Sequence, residues 1–83
     1  MITIKRTNGQ PDITEATVED LEDLMGGFDE PTAYVGNDGV VCIYATEAGY
    51  DSDPEGAYPE IIVTGDGAAS LAIEAGVDIR LYV

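Results

Sequence analysis

The residues able to do chemistry in this chain are almost all carboxylates. Glu15, Glu19, Glu22 and Asp23, with Asp20 beside them, recur at three- and four-residue steps. On a helix that spacing places side chains about 5–6 Å apart on one face. Asp51-Ser52-Asp53-Pro54-Glu55-Gly56 sets acids at alternate positions before a glycine, as a calcium loop begins. A hard cation takes several oxygen ligands, and glycine permits the sharp turn. The twelfth position of such a loop falls on Ile62 instead of a bidentate Glu, so a plain acidic loop is the stronger reading and no metal is assigned. Gly65-Asp66-Gly67-Ala68-Ala69-Ser70 half-matches a dinucleotide-binding turn, but Asp66 would repel a pyrophosphate at a helix N-terminus. Capping of the following helix by Asp66 explains the motif, and no cofactor is expected.

Catalysis has little to work with. There is no histidine, which removes the commonest general base and every Ser-His or Cys-His nucleophile. Ser52 and Ser70 therefore have no base to activate them. Cys42 is the only cysteine; it lies in an apolar run, where it reads as a small core residue and not a nucleophile. Paired carboxylates can hydrolyse glycosides, yet 83 residues leave little wall for a substrate cleft. The chain reads as a binding protein, not an enzyme.

Seventeen acids stand against three bases, for a net charge of −14. Lys5 and Arg6 lie near one end and Arg80 near the other, and every acid falls between Thr7 and Ile79. Direct contact with nucleic acid needs Lys and Arg against phosphate, so it is excluded, as is an anionic membrane surface. Basic protein surfaces are attracted instead, over a Debye length of roughly 8–10 Å at physiological salt. Apolar residues make up 45% of the chain, enough to fold one domain over residues 1–83. No run has the length of a membrane span, and the first residues lack the apolar core of a signal peptide. The expected compartment is the cytoplasm.

These acids must be carried by a small set of elements. Ile2 and Ile4 alternate with Thr3 and Lys5 as a half-buried strand. A helix follows from Thr14 or Thr17 to Met25; Thr17 with Asp20 fits a capping box, Val18, Leu21, Leu24 and Met25 form its apolar stripe, and Gly26-Gly27 stop it. Its outer face bears like-charge pairs Glu15–Glu19 and Glu19–Asp23, each costing on the order of 0.2–0.5 kcal/mol. Two β-rich runs flank Gly36-Asn37-Asp38-Gly39 as a hairpin, and Val40–Ala45 carries no charge on either face, so it should be buried on both. Residues 47–60 read as an irregular loop with Tyr50 and Tyr58 as aromatic anchors. Ile61–Val63 is a short strand, Gly67–Ala75 a helix capped by Asp66 and stopped by Gly76, and Val77–Val83 an alternating last strand. The expected fold is α+β: a mainly antiparallel sheet of four to five strands with two helices on one face, in the order β-α-β-β-β-α-β. With Ile61–Val63 as a minor strand this becomes a ferredoxin-like variant. The first and last strands are expected near each other or near the centre of the sheet, gathering the three bases in one region.

In size, charge and compact α+β pattern the chain resembles the small acidic inhibitors made by phages and mobile elements: anti-CRISPR, anti-restriction and uracil-glycosylase inhibitor proteins. The resemblance implies a viral DNA mimic acting in the host cytoplasm, whose acids occupy a basic groove built for nucleic acid. The partner-binding candidates are Glu15, Glu19, Glu22, Asp23, Asp29, Glu30, Asp51, Asp53 and Glu55, with Tyr50 and Tyr58 as contact aromatics. The alternatives are a halophile-adapted small cytosolic protein, or an acidic interaction module that mimics nothing. Tyr82 and Val83 on the terminal strand could also pair with another copy.

Overall fold

The computed structural model describes residues 1–82, so Val83, the last apolar position expected of the final strand, lies outside the described residues. Five strands form one sheet: β1 (Thr3–Arg6), β2 (Thr32–Val35), β3 (Val41–Tyr44), β4 (Ile61–Thr64) and β5 (Asp78–Tyr82). Their order is β1-β4-β3-β2-β5. All neighbours are antiparallel except β2 and β5, so the class is α+β with a mainly antiparallel sheet.

The hairpin of β2 and β3 pairs Ala33 with Ile43 and Val35 with Val41. Its turn is closed by Gly36 N–H donating to Val40 O at 2.9 Å, and by Val40 N–H donating to Asp38 Oδ1 at 3.1 Å. Gly39 supplies the positive φ, 82°, that the tight reversal requires. Every residue of β3 is buried. Val41 and Ile43 are sealed on one face of the sheet, while Cys42 and Tyr44 are covered on the other.

On the first face lie α1 (Val18–Leu24) and α3 (Ala68–Glu74). Leu21 and Met25 from the first helix segment, and Ala68, Leu71 and Ala72 from the second, close over Ile4, Ala33, Val35, Val41, Ile43, Ile61 and Val63. At about 1.5–3 kcal/mol per fully buried aliphatic side chain, this layer supplies most of the driving force for folding. The capping box forms as the sequence indicates: Asp20 N–H donates to Thr17 Oγ1 at 3.2 Å and Thr17 N–H to Asp20 Oδ2 at 3.0 Å. Ile13, just before the helix, lies beside the sheet. It bridges β1, exchanging hydrogen bonds of 2.8 and 2.9 Å with Ile4, and so shields part of an open sheet edge.

Four expectations need correction. Residues 47–60 are not wholly irregular: α2 (Glu47–Asp51) forms within them. Thr46 caps it by accepting Gly49 N–H at 2.9 Å, and Tyr50 packs edge-on to Tyr44, ring centroids 5.7 Å apart. That tertiary contact offsets the helix-weakening Gly49. This third helix covers the second face of the sheet, while the two expected helices share the first. Second, Asp66 is not the cap of α3. Gly67 occupies that position at φ 85° with no side-chain bond, because the turn out of β4 passes through the left-handed region that glycine favours. Third, Ile61–Thr64 is no minor strand but sits between β1 and β3, so the ferredoxin-like reduction fails. Fourth, β1 and β5 lie at opposite edges, which separates Lys5 and Arg6 from Arg80.

The cap on α1 has a measurable weight. Thr17→Ala should lower stability by about 1 kcal/mol in urea unfolding, with Thr17→Ser close to wild type.

Candidate functional site

The candidate residues divide between the two sides of the sheet. On the helical side, Glu19, Glu22 and Asp23 stand exposed on α1. Glu15 precedes the helix with φ 51°, so it does not form an i,i+4 pair on a helical face with Glu19. Asp20 is spent on the capping box. Asp29 and Glu30 are exposed just before β2, where Glu30 N–H donates to Ala45 O at 3.1 Å.

Asp51, Asp53, Glu55, Tyr50 and Tyr58 belong to the other side, on α2 and the segment that follows. The centre of this second group is Asp53. Its Oδ2 accepts Tyr58 N–H at 2.7 Å and the Tyr44 hydroxyl at 2.8 Å, and its Oδ1 accepts Ala57 N–H at 3.2 Å. Those donors, the Tyr58 amide first, hold the Asp53 carboxyl below its ordinary range. A short turn brings them together, with Gly56 N–H donating to Asp53 O at 3.0 Å. One strand away, the Tyr34 hydroxyl donates to Gly56 O at 3.1 Å. Tyrosines on β2 and β3 therefore tie the 53–58 segment onto the sheet from below.

These two tyrosines were not among the sequence candidates. The available signal was their position: in a hairpin whose Ala33, Val35, Val41 and Ile43 face the core, Tyr34 and Tyr44 must both point the other way. Burial, with the bond to Asp53 second, raises the Tyr44 phenol. The Tyr34 phenol is pushed up to about 12, first by the neighbouring Cys42 thiol and then by burial. Burial also pushes the Cys42 thiol up, partly offset by Tyr34. A buried thiol held protonated is a poor nucleophile.

Two clefts flank Asp53. One, of about 370 Å³, opens among Tyr34, Tyr50, Asp51, Pro54, Glu55 and Gly56. The other, of about 340 Å³, runs past Tyr44, Thr46, Ser52, Tyr58 and Glu60. Tyr58 is 83% exposed, so its ring does not anchor the loop onto the sheet; its amide closes the turn on Asp53. Asp53 already accepts three hydrogen bonds, and among the described residues no three Asp, Glu or Cys side chains converge enough to hold a metal ion. Among the described residues, no helix is long and apolar enough to cross a membrane.

The bases are already engaged where the structure places them beside acids. Arg80 pairs with Glu47 at 3.1 Å and Asp78 at 2.7 Å, which keeps its guanidinium protonated. Arg6 donates to Pro11 O at 2.6 Å. No family model, no curated protein and no solved structure matches the chain.

A carboxylate with a depressed pKa stabilises the fold above its unfolded value, and that stability is lost as pH falls through the folded value. Thermal melting should therefore drop as pH falls below about 4. Asp53→Asn should melt several degrees lower at pH 7 and should lose the Asp53 part of this acid sensitivity. The matching pH series of melting curves measures both.

Proposed function

We propose that this protein binds a basic, nucleic-acid-binding surface of a partner protein and blocks it through acids displayed on α1 and the adjoining Asp29-Glu30 segment. The observation that carries this reading is the unpaired state of that face. Among the described residues the ion pairs belong to Arg80 on the opposite side of the sheet, and Glu19, Glu22 and Asp23 have no cation beside them. A helix shaped for stability alone would place Lys in its last turn, and here the last turn has no base. The capping box fixes the first turn, so the carboxylates are held on a defined frame. Their spacing of about 5–6 Å along the face is comparable to the few-ångström steps of phosphates along a strand. Binding to a groove evolved for DNA would be driven largely by release of the partner's counterions and would fall steeply with salt.

The reading excludes chemistry at this face. It requires no cofactor and no reacting group, only exposed carboxylates on a fixed frame. It also separates charge from position, which makes it testable. Glu19→Lys with Glu22→Lys changes the net charge from −14 to −10, because each reversal adds two units; Asp12→Lys with Asp66→Lys makes the same change elsewhere.

Immobilised protein should retain a discrete set of basic DNA-binding proteins from nuclease-treated bacterial extract at low salt, and duplex DNA should displace them. The α1 double variant should lose about tenfold or more of that affinity while keeping its stability within about 0.5 kcal/mol. The matched control should bind nearly as wild type. Equal loss in both variants would sink the α1 interface, and a protein that folds only in molar salt would point to halophilic adaptation instead.

A further inference from the structure

We propose that the cleft between α2 and the 53–58 turn is a seat for an arginine side chain of a basic partner. This rests on the reading above only in taking the partner to be basic; it concerns the other side of the sheet. The cleft, about 370 Å³, is near the lower end of the range for small-ligand sites, a size suited to one long side chain. Its walls include Tyr34, Tyr50 and Pro54, and Asp51 and Glu55 also line it. It combines aromatic walls and carboxylates in one concavity, which a bare acidic stretch does not.

The walls are held before any ligand arrives. The Tyr34 hydroxyl donates to Gly56 O at 3.1 Å, and Gly56 adopts φ 68°. A Cβ at position 56 would collide with the Tyr34 phenol, so this wall exists only because glycine lies against the ring. Tyr50 is held perpendicular to Tyr44, at 89°. Asp53 also lines the cleft, but its carboxylate is held in place by Tyr44, Ala57 and Tyr58. Asp51 and Glu55 are exposed and, among the described residues, make no ion pair or side-chain hydrogen bond. The cleft therefore offers tyrosine rings together with carboxylates that still have acceptor capacity.

That combination selects among cations. A guanidinium is flat, stacks on tyrosine, and presents a fork of N–H donors to a carboxylate. A quaternary ammonium has no donor for Asp51 or Glu55. A lysine ammonium can donate, but as a strongly hydrated point charge it gains less from ring faces.

The probe is Nα-acetyl-L-argininamide, titrated at low ionic strength into isotopically labelled protein, with the corresponding lysinamide and tetramethylammonium in parallel. Saturable amide shifts should centre on Tyr34, Tyr50 and Gly56, with the arginine probe at least about threefold tighter than the lysine one. Asp51→Asn with Glu55→Gln should weaken it about fivefold or more, while Glu19→Gln with Glu22→Gln should stay within about twofold. Both double variants carry −12, two carboxylates fewer than −14, so charge alone cannot separate them. Tyr50→Phe should retain binding, because the ring remains. Shifts that never saturate, that spread equally over α1, or that respond identically to the two double variants would overturn the proposal. The titration uses no partner protein, so its failure leaves the α1 test standing, and failure of the α1 test leaves the cleft standing.

Discussion

The strand β3 must be buried on both faces, and the rest of the molecule is arranged to satisfy that demand. Val41 and Ile43 are sealed by α1 and α3, the usual way for a small α+β domain to cover a sheet. Cys42 and Tyr44 need a second cover, and 83 residues leave no chain for another full helical layer. The 47–60 segment provides it with one short helix and a turn. Such a cover has little apolar area of its own, so it is held by directed bonds: two tyrosine hydroxyls from the sheet, and one aspartate that gathers a hydroxyl and two amides. A neutral hydrogen bond contributes about 0.5–1.5 kcal/mol and one to a charged group more, so a few such bonds suffice to dock a segment that hydrophobic burial alone would leave loose.

Where the tyrosines are used in this way, the acids around them acquire different fates. Asp53 becomes part of the fold, with three of its acceptor sites taken up by Tyr44, Ala57 and Tyr58. Asp51 and Glu55, two residues to either side, remain exposed. On α1 the same division holds: Asp20 completes the capping box, and Glu19, Glu22 and Asp23 point outward. A high count of carboxylates therefore overstates how many are available to bind. The structural ones reveal themselves by hydrogen bonds to the fold, and those with neither such bonds nor a cation beside them carry a self-repulsion that a basic partner would remove.

Much of the frame was legible in the residues. Thr17 and Asp20 have the side-chain lengths to cap each other three positions apart, a local interaction that needs no knowledge of the fold. The hairpin at Gly36–Val40 and the two-sided burial of β3 follow from turn chemistry and from the absence of charge over Val41–Tyr44. What was not legible depends on distant contacts. The helix α2 includes Gly49 and ends in Asp51, so its propensity is poor; it forms because Tyr50 packs on Tyr44 of β3. Ile61–Thr64 looked minor because it is short, yet it pairs on both edges, and strand order is not written in any one strand. Asp66 has the right chemistry for a cap and the wrong backbone around it, since the flanking glycines take the turn through positive φ.

The same long-range logic bears on the candidate surface. The partner-binding candidates of 15–30 and of 51–55 do not form one continuous acidic field. The sheet stands between them: α1 packs with α3 on one side, and α2 lies against Tyr44 on the other. A flat basic groove can face one side at a time, so a single rigid partner cannot engage both sets unless it wraps an edge of the sheet. The edges differ in this respect. Beside β5, Arg80 is neutralised by Glu47 and Asp78, which removes a repulsive charge from the path between the two sides. At the opposite edge, Lys5 is exposed on β1 and would oppose a basic surface. A partner reaching both faces would therefore pass along β5, where the protein has already paired its own cation.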